Sequence, residues 1–207
     1  MRRDSALMEE YARLASAYDR RWARYVDATV EQTLRRLPAR GYERVLDVGC
    51  GTGTFLMSLA ARLPSAQLVG IDLSRHMLDV ARARVPAAVA LGRARAERLP
   101  FDSERFDLLV SLSAFHYFDE LQGVTREFYR VLRPGGVLLL TDWCRDFLSC
   151  RLFARLARLR RGGEFTVVGA RRCRLLLEQT GFSVVGVERY RVDWFWGLMT
   201  ARAEKPR

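Results

Sequence analysis

Three glycines on alternate positions, in Gly49-Cys50-Gly51-Thr52-Gly53, directly follow a short and mostly apolar run, Arg44–Val48. Glycine permits tight turns and close approach of the backbone to a ligand. Helical spacing resumes at Phe55, Leu56, Leu59 and Leu63. The loop therefore opens a helix, whose first free N–H groups favour a negative group. Asp47 stands just before the loop, and Asp72 ends the next apolar run, Leu68–Asp72, 19 residues beyond Gly53. A carboxylate at a strand end can accept both hydroxyls of a ribose. Together these residues read as a nucleotide-type cofactor site; the plainer alternative is a helix-start turn with an incidental acid. The spacing G-x-G-x-G differs from the G-x-G-x-x-G of dinucleotide binding and argues against a dehydrogenase. His116, within Ser111-Leu112-Ser113-Ala114-Phe115-His116-Tyr117-Phe118, is the titratable side chain best suited to proton transfer near neutral pH. Its alternative is a structural imidazole packed among Phe115, Tyr117 and Phe118, or one that only orients substrate.

Strands alternating with helices must position these groups. The apolar runs Arg44–Val48, Leu68–Asp72, Ala87–Leu91, Phe106–Leu112 and Val137–Thr141 read as strands, followed by two more at Phe182–Val192 and Trp194–Ala203. Helical spacing predicts a long first helix over 6–38, with Tyr11, Ala15, Tyr18, Trp22, Val26 and Val30 on one face. Further helices are expected after a Ser74 cap, over Leu121–Leu132, over Asp146–Arg161 and up to Thr180. Leu132-Arg133-Pro134-Gly135-Gly136 reads as a turn. This alternation implies an α/β fold with a mostly parallel sheet and helices on both faces. Only Asp193 and its neighbours separate the last two strands, too few for a crossover, so if they pair they are antiparallel. In such a sheet a ligand sits at the carboxyl ends of the strands, where the glycine loop lies.

The chain has 207 residues, 49% of them hydrophobic and 29% charged, which excludes a disordered or collagen-like chain. One domain of about 100–200 residues is the default. No apolar run approaches the ~20 residues of a membrane-spanning helix, and the start, MRRDSALMEE, lacks the apolar core of a signal peptide. Cys50, Cys144, Cys150 and Cys173 form no Cys-x-x-Cys pair and have no histidine at zinc spacing, so no metal is expected. Scattered thiols fit a reducing cytoplasm. The net charge is +11, and all but Lys205 of the 35 basic residues are arginine, a skew that a GC-rich genome explains more easily than selection for phosphate contacts.

VLDVGCGTGTF, then VGIDLS, AERLPF, FDLLVS and LRPGGVLLLTD, resemble the class I S-adenosylmethionine-dependent methyltransferases, closest to the small-molecule group that includes the ubiquinone and menaquinone C-methyltransferases. The resemblance covers about residues 40–143. It implies a single domain with a Rossmann-like, doubly wound sheet of seven strands, the last antiparallel. Its parts would be an N-terminal helical cap (1–38), a cofactor-binding core (40–143), a helical lid (144–181) and a C-terminal β-hairpin (182–207). It further implies that Asp47, Gly49, Gly51, Thr52 and Gly53 line the methionine end of S-adenosylmethionine. Asp72 would take the ribose, Leu73 would pack on the adenine, and Ala96 and Glu97 would flank its edge. Many relatives carry Asp where this chain has Arg95, which cannot accept from the adenine amino group. Tyr18 matches a family position that closes the site, and Ser111 ends the strand beside it. His116 is the expected base, with Asp142, Trp143 and Cys144 as further pocket residues. His76 reads as surface, and Cys50 as a small buried residue.

The expected reaction is methyl transfer to a small organic acceptor. A nucleic-acid methyltransferase is a weaker reading: the +11 charge suggests it, but no Asn-Pro-Pro-Tyr motif follows Val110. A non-catalytic protein-binding module is the other rival. Over Asp146–Arg161, Leu148, Leu152, Leu156 and Leu159 form a stripe flanked by Arg151, Arg155 and Arg158. Either the leucines pack on the sheet or first helix, or the segment folds over the acceptor as a lid. In the second case its arginines favour an acidic acceptor or contact with an anionic membrane.

Overall fold

The structure is a computed structural model that describes residues 23–161 and 166–207, the side chains of 158–161 excepted. Helix α1 occupies 23–36. Tyr11, Ala15, Tyr18 and Trp22 of the expected first helix lie outside the described residues. There follow β1 (Arg44–Val48), α2 (Thr54–Arg62), β2 (Gln67–Asp72), α3 (Arg75–Arg82), β3 (Ala90–Arg93), β4 (Phe106–Leu112), a 3-10 turn (Phe115–Tyr117), α4 (Leu121–Val131) and β5 (Leu132–Trp143). The chain continues with α5 (Leu148–Arg161), α6 (Ala170–Thr180), β6 (Ser183–Arg191) and β7 (Gly197–Glu204).

The strands form one seven-stranded sheet in the order β3-β2-β1-β4-β5-β7-β6. β7 runs antiparallel to both β5 and β6. The pairs among β1 to β5 are parallel. Side chains alternate across each strand. Val45, Leu108, Val110, Val137 and Leu139 meet Leu56, Leu59 and Leu78 on one face. Leu46, Val48, Leu109, Leu138 and Leu140 meet Val124, Phe128 and Leu177 on the other. Truncating any one of these buried leucines to alanine costs about 2–5 kcal/mol. Ser74 caps α3 as its sequence predicts, its Oγ accepting the Met77 N–H at 3.4 Å.

Two expectations change. Leu132–Gly136 is not a free turn but the first part of β5. The pairing Phe106 with Leu132 jumps to Leu108 with Val137, so a bulge absorbs the extra residues. The Gly135 N–H donates to the Lys205 carbonyl and the Lys205 N–H to the Gly136 carbonyl, so the chain after β7 satisfies this stretch. The leucine stripe of α5 also does not pack inward. Leu148, Leu152 and Leu156 are 56%, 53% and 56% exposed. The opposite face, with Cys150 and Ala154, packs on Trp143, Trp196 and Leu198. Small side chains let the helix approach the bulky indoles, which leaves its leucines pointing outward.

Candidate active site

Chain order reverses between β1 and β4, and the loop after β1 lies at that point. Gly49, Gly51 and Gly53 all have positive φ. The N–H groups of Gly49 and Cys50 both donate to the Ile71 carbonyl, at 2.7 and 3.1 Å, latching the loop onto β2. A Cβ on Gly49 would lie 2.4 Å from Ala114 Cβ, so the loop and the segment after β4 meet with no space between them. A Cβ on Gly51, by contrast, would meet nothing within 4 Å. The loop is thus anchored at Gly49 and open at Gly51.

Asp72 is aimed back across the loop. Its Oδ2 accepts the Gly51 N–H at 2.9 Å and its Oδ1 the Ser74 N–H at 2.8 Å. Burial raises its pKa in spite of these donors. Asp47 is 1% exposed, and neither of its carboxylate oxygens has a hydrogen-bond partner among the described residues. Burial first, and then the charge of Asp72, push Asp47 up to about 8. A buried acid, Asp47, and a half-buried one, Asp72, beside an open glycine loop form a site that a cationic, hydroxyl-bearing ligand would relieve.

The other expected cofactor residues are spread around this loop. Thr52 is buried, its Oγ1 3.3 Å from that of Thr54. Leu73 follows Asp72, and its carbonyl accepts from Arg93 Nε at 2.9 Å. Ala96 is buried with Val48, Ile71 and Phe115. Glu97 faces Arg95 at 3.4 Å, and Arg95 also reaches Asp119 at 3.5 Å. Arg95 is therefore held between two carboxylates. Ser111 Oγ donates to the Val48 carbonyl at 2.9 Å, tying β4 to the start of the loop. Tyr18 lies outside the described residues.

His116 sits in the turn after β4, at the same sheet edge and 2% exposed. Its Nδ1 lies 2.6 Å from Asp142 Oδ1, and its backbone N–H donates to Asp142 Oδ2 at 3.0 Å. An ionised Asp142 fixes the tautomer with the proton on Nδ1, which leaves the lone pair on Nε2. The ring stacks on Trp143, with centroids 4.2 Å apart. The Trp143 indole N–H donates to the Tyr25 hydroxyl at 2.7 Å, and that hydroxyl shares a 2.6 Å hydrogen bond with Ser113 Oγ. Cys144 is buried beside this group, its thiol pushed up to about 11 by burial. Reading along the chain missed Ser113, which has φ +50 without being glycine, and Trp196, which stacks on Trp143 at 4.6 Å. Only the fold brings these residues together. Among the described residues no group of His, Cys, Asp and Glu has metal-binding geometry.

Residues 45–136 match a family model described as a methyltransferase domain. The chain is 42% identical over 120 residues to the malonyl-[acyl-carrier protein] O-methyltransferase of Enterobacter lignolyticus, covering 58% of this chain and 47% of that one. It is 35% identical over 133 residues to the ubiquinone/menaquinone biosynthesis C-methyltransferase UbiE of Syntrophotalea carbinolica, covering 63% and 53%. The chain thus spans about half the length of these curated relatives. In fold it resembles a solved chain from the Haloferax volcanii complex of the Trm112 methyltransferase activator with a methyltransferase. The TM-score is 0.85 at 19% identity, over 96% of this chain and 98% of that one.

Proposed function

We propose that the chain, whose residues 45–136 match a methyltransferase domain, transfers the methyl group of S-adenosylmethionine to a small organic acceptor, releasing S-adenosylhomocysteine. The observation that carries this reading is the pair of acids at the open glycine loop, Asp47 buried and Asp72 half-buried. The bare carboxylate of Asp47 suits the ammonium of the methionine part, and Asp72 suits the ribose hydroxyls. The open side of Gly51 leaves room for close approach. Around them, Gly49, Thr52, Gly53, Leu73, Ala96, Glu97, Ser111 and Tyr18 are assigned to the cofactor side. When bound, the cofactor supplies an electrophilic methyl group on a sulfonium.

The protein's part is then orientation and proton removal. His116 Nε2 takes the proton of an acceptor oxygen or nitrogen as that atom becomes methylated, or of an activated carbon. Asp142 positions the ring and stabilises the imidazolium. The relatives are named for transfer to oxygen and to carbon, and the proposal covers both. No helix among the described residues is long and apolar enough to cross a membrane. Buried free thiols suit a reducing compartment, and we assign the protein to the cytoplasm.

Calorimetry with three ligands tests the cofactor assignment. S-adenosylmethionine and S-adenosylhomocysteine should bind and NAD should not; tighter binding of NAD would overturn it. A metabolite extract incubated with isotopically labelled cofactor would then reveal the acceptor.

A further inference from the structure

Helix α5 presents a surface that the transfer site does not use. Its sequence, LSCRLFARLARLRR, carries five arginines and neither Asp nor Glu. Leu148, Leu152 and Leu156 stand one turn apart and point outward, each more than half exposed. On one flank Arg151 opens onto a cleft of about 660 Å³ that it shares with Arg145, Asp146, Arg171, Arg172 and Leu175. The single acid there, Asp146, is already engaged by the Ala170 N–H at 3.2 Å and by Arg189 at 3.3 Å. Arg145, Arg151, Arg155, Arg171 and Arg172 have no carboxylate partner among the described residues. On the other flank α5 holds the turn between β6 and β7. Ser149 Oγ donates to the Phe195 carbonyl at 2.5 Å, and the Phe153 and Phe195 rings meet edge to face at 6.2 Å. That turn leaves the Trp194 indole 85% exposed.

We propose that this face docks on an anionic lipid bilayer, with the leucines and Trp194 entering the headgroup boundary and the arginines taking lipid phosphates. The leucines form a convex ridge and not a groove. They are bordered by an indole on one side and guanidinium groups on the other, the arrangement an interfacial helix uses. Charge selects the occupant. A protein partner is matched by a pattern of both signs, whereas α5 offers one sign repeated, which suits a uniformly negative surface. Because α5 directly follows β5, the bilayer would lie against the carboxyl edge of the sheet.

The test is co-sedimentation of the full chain with vesicles. One set is phosphatidylcholine alone; the other is equal parts phosphatidylcholine and phosphatidylglycerol. The protein should pellet with the anionic set only, and less so as salt rises. Combined Arg151→Gln, Arg155→Gln and Arg172→Gln should weaken binding by at least about tenfold, since each arginine near such a surface is worth roughly fivefold. Leu152→Ser with Leu156→Ser should weaken it at low salt too. Both variants should leave the S-adenosylhomocysteine Kd unchanged. A blue shift of emission on vesicle binding should vanish in Trp194→Phe. Equal binding to both vesicle sets, no binding to either, or insensitivity to these substitutions would overturn the proposal. So would a concentration-dependent dimer lost in the Leu→Ser variant without vesicle binding, since that would assign the ridge to a second copy. Vesicle binding is read without turnover, so its outcome is independent of the transfer reaction.

Discussion

His116 and Asp142 hold each other across 26 residues of chain. If the imidazole takes the acceptor's proton, His116→Ala should lower turnover by about 10²–10⁴ while leaving S-adenosylhomocysteine affinity within about twofold. Asp142→Asn should also slow turnover, because an amide cannot stabilise the imidazolium and can favour the wrong tautomer. A loss below about fivefold in His116→Ala, read from initial rates, would assign the ring to packing against Trp143 instead. Asp47 makes a prediction about pH. Its carboxyl rises from 3.8 to about 8 on folding. Below that window both states hold the proton. Within it the unfolded chain gives the proton up while the folded chain keeps it, so the ligand-free protein should lose stability as pH rises from about 4 to 8. The Tm of Asp47→Asn, followed across the same range, should fall less steeply. A cationic ligand favours the ionised carboxylate, so cofactor affinity should climb through this range in the native protein and stay flatter in the variant.

Gly49 and Gly51 stand two positions apart and should answer substitution differently. At Gly49 a methyl group collides with Ala114 at 2.4 Å, on a backbone of φ +80. Gly49→Ala should therefore lower stability by at least about 1–3 kcal/mol in urea titration. At Gly51 there is open space and φ +54. Gly51→Ala should cost less, roughly 1–2 kcal/mol, and show its main effect as weakened cofactor binding. The glycine loop, its two acids and β4 were legible in the sequence because each is a local pattern: alternating glycines, strand-end carboxylates, an unbroken apolar run. The role of α5 was not. Helical spacing says that Leu148, Leu152 and Leu156 share a face, but not that Cys150 and Ala154 on the opposite face meet the indoles. The start of β5 was missed because Pro134 and two glycines look like a turn, and only the chain after β7 shows where their polar groups are satisfied. His116 was legible as a candidate, but its tie to Asp142 needed the fold to bring the turn after β4 against the end of β5.

Four thiols lie in the glycine loop, just after β5, in α5 and in α6, and all are buried and free. Burial raises each of them, Cys173 to about 12. Thiolate is the reactive form, so Ellman's reagent at neutral pH should label the native protein slowly and all four cysteines at once after denaturation. Rapid labelling of one site before unfolding would reveal a local opening, and the Cys150 thiol, on the inner face of α5 and donating to the Gly197 carbonyl at 3.2 Å, is the site that would report movement of that helix.

The placement of β7 between β5 and β6 has a consequence for biosynthesis. A ribosome delivers β6 first, yet β6 reaches the sheet only through β7. Strands β1 to β5 can close around the glycine loop while β6 waits without a neighbour. Until residue 204 clears the exit tunnel, β5 keeps an open edge from Val137 to Trp143, the stretch that β7 later covers. The nascent chain thus completes its glycine-loop half first and carries an unprotected strand edge, a template for foreign strands, until β7 has been made.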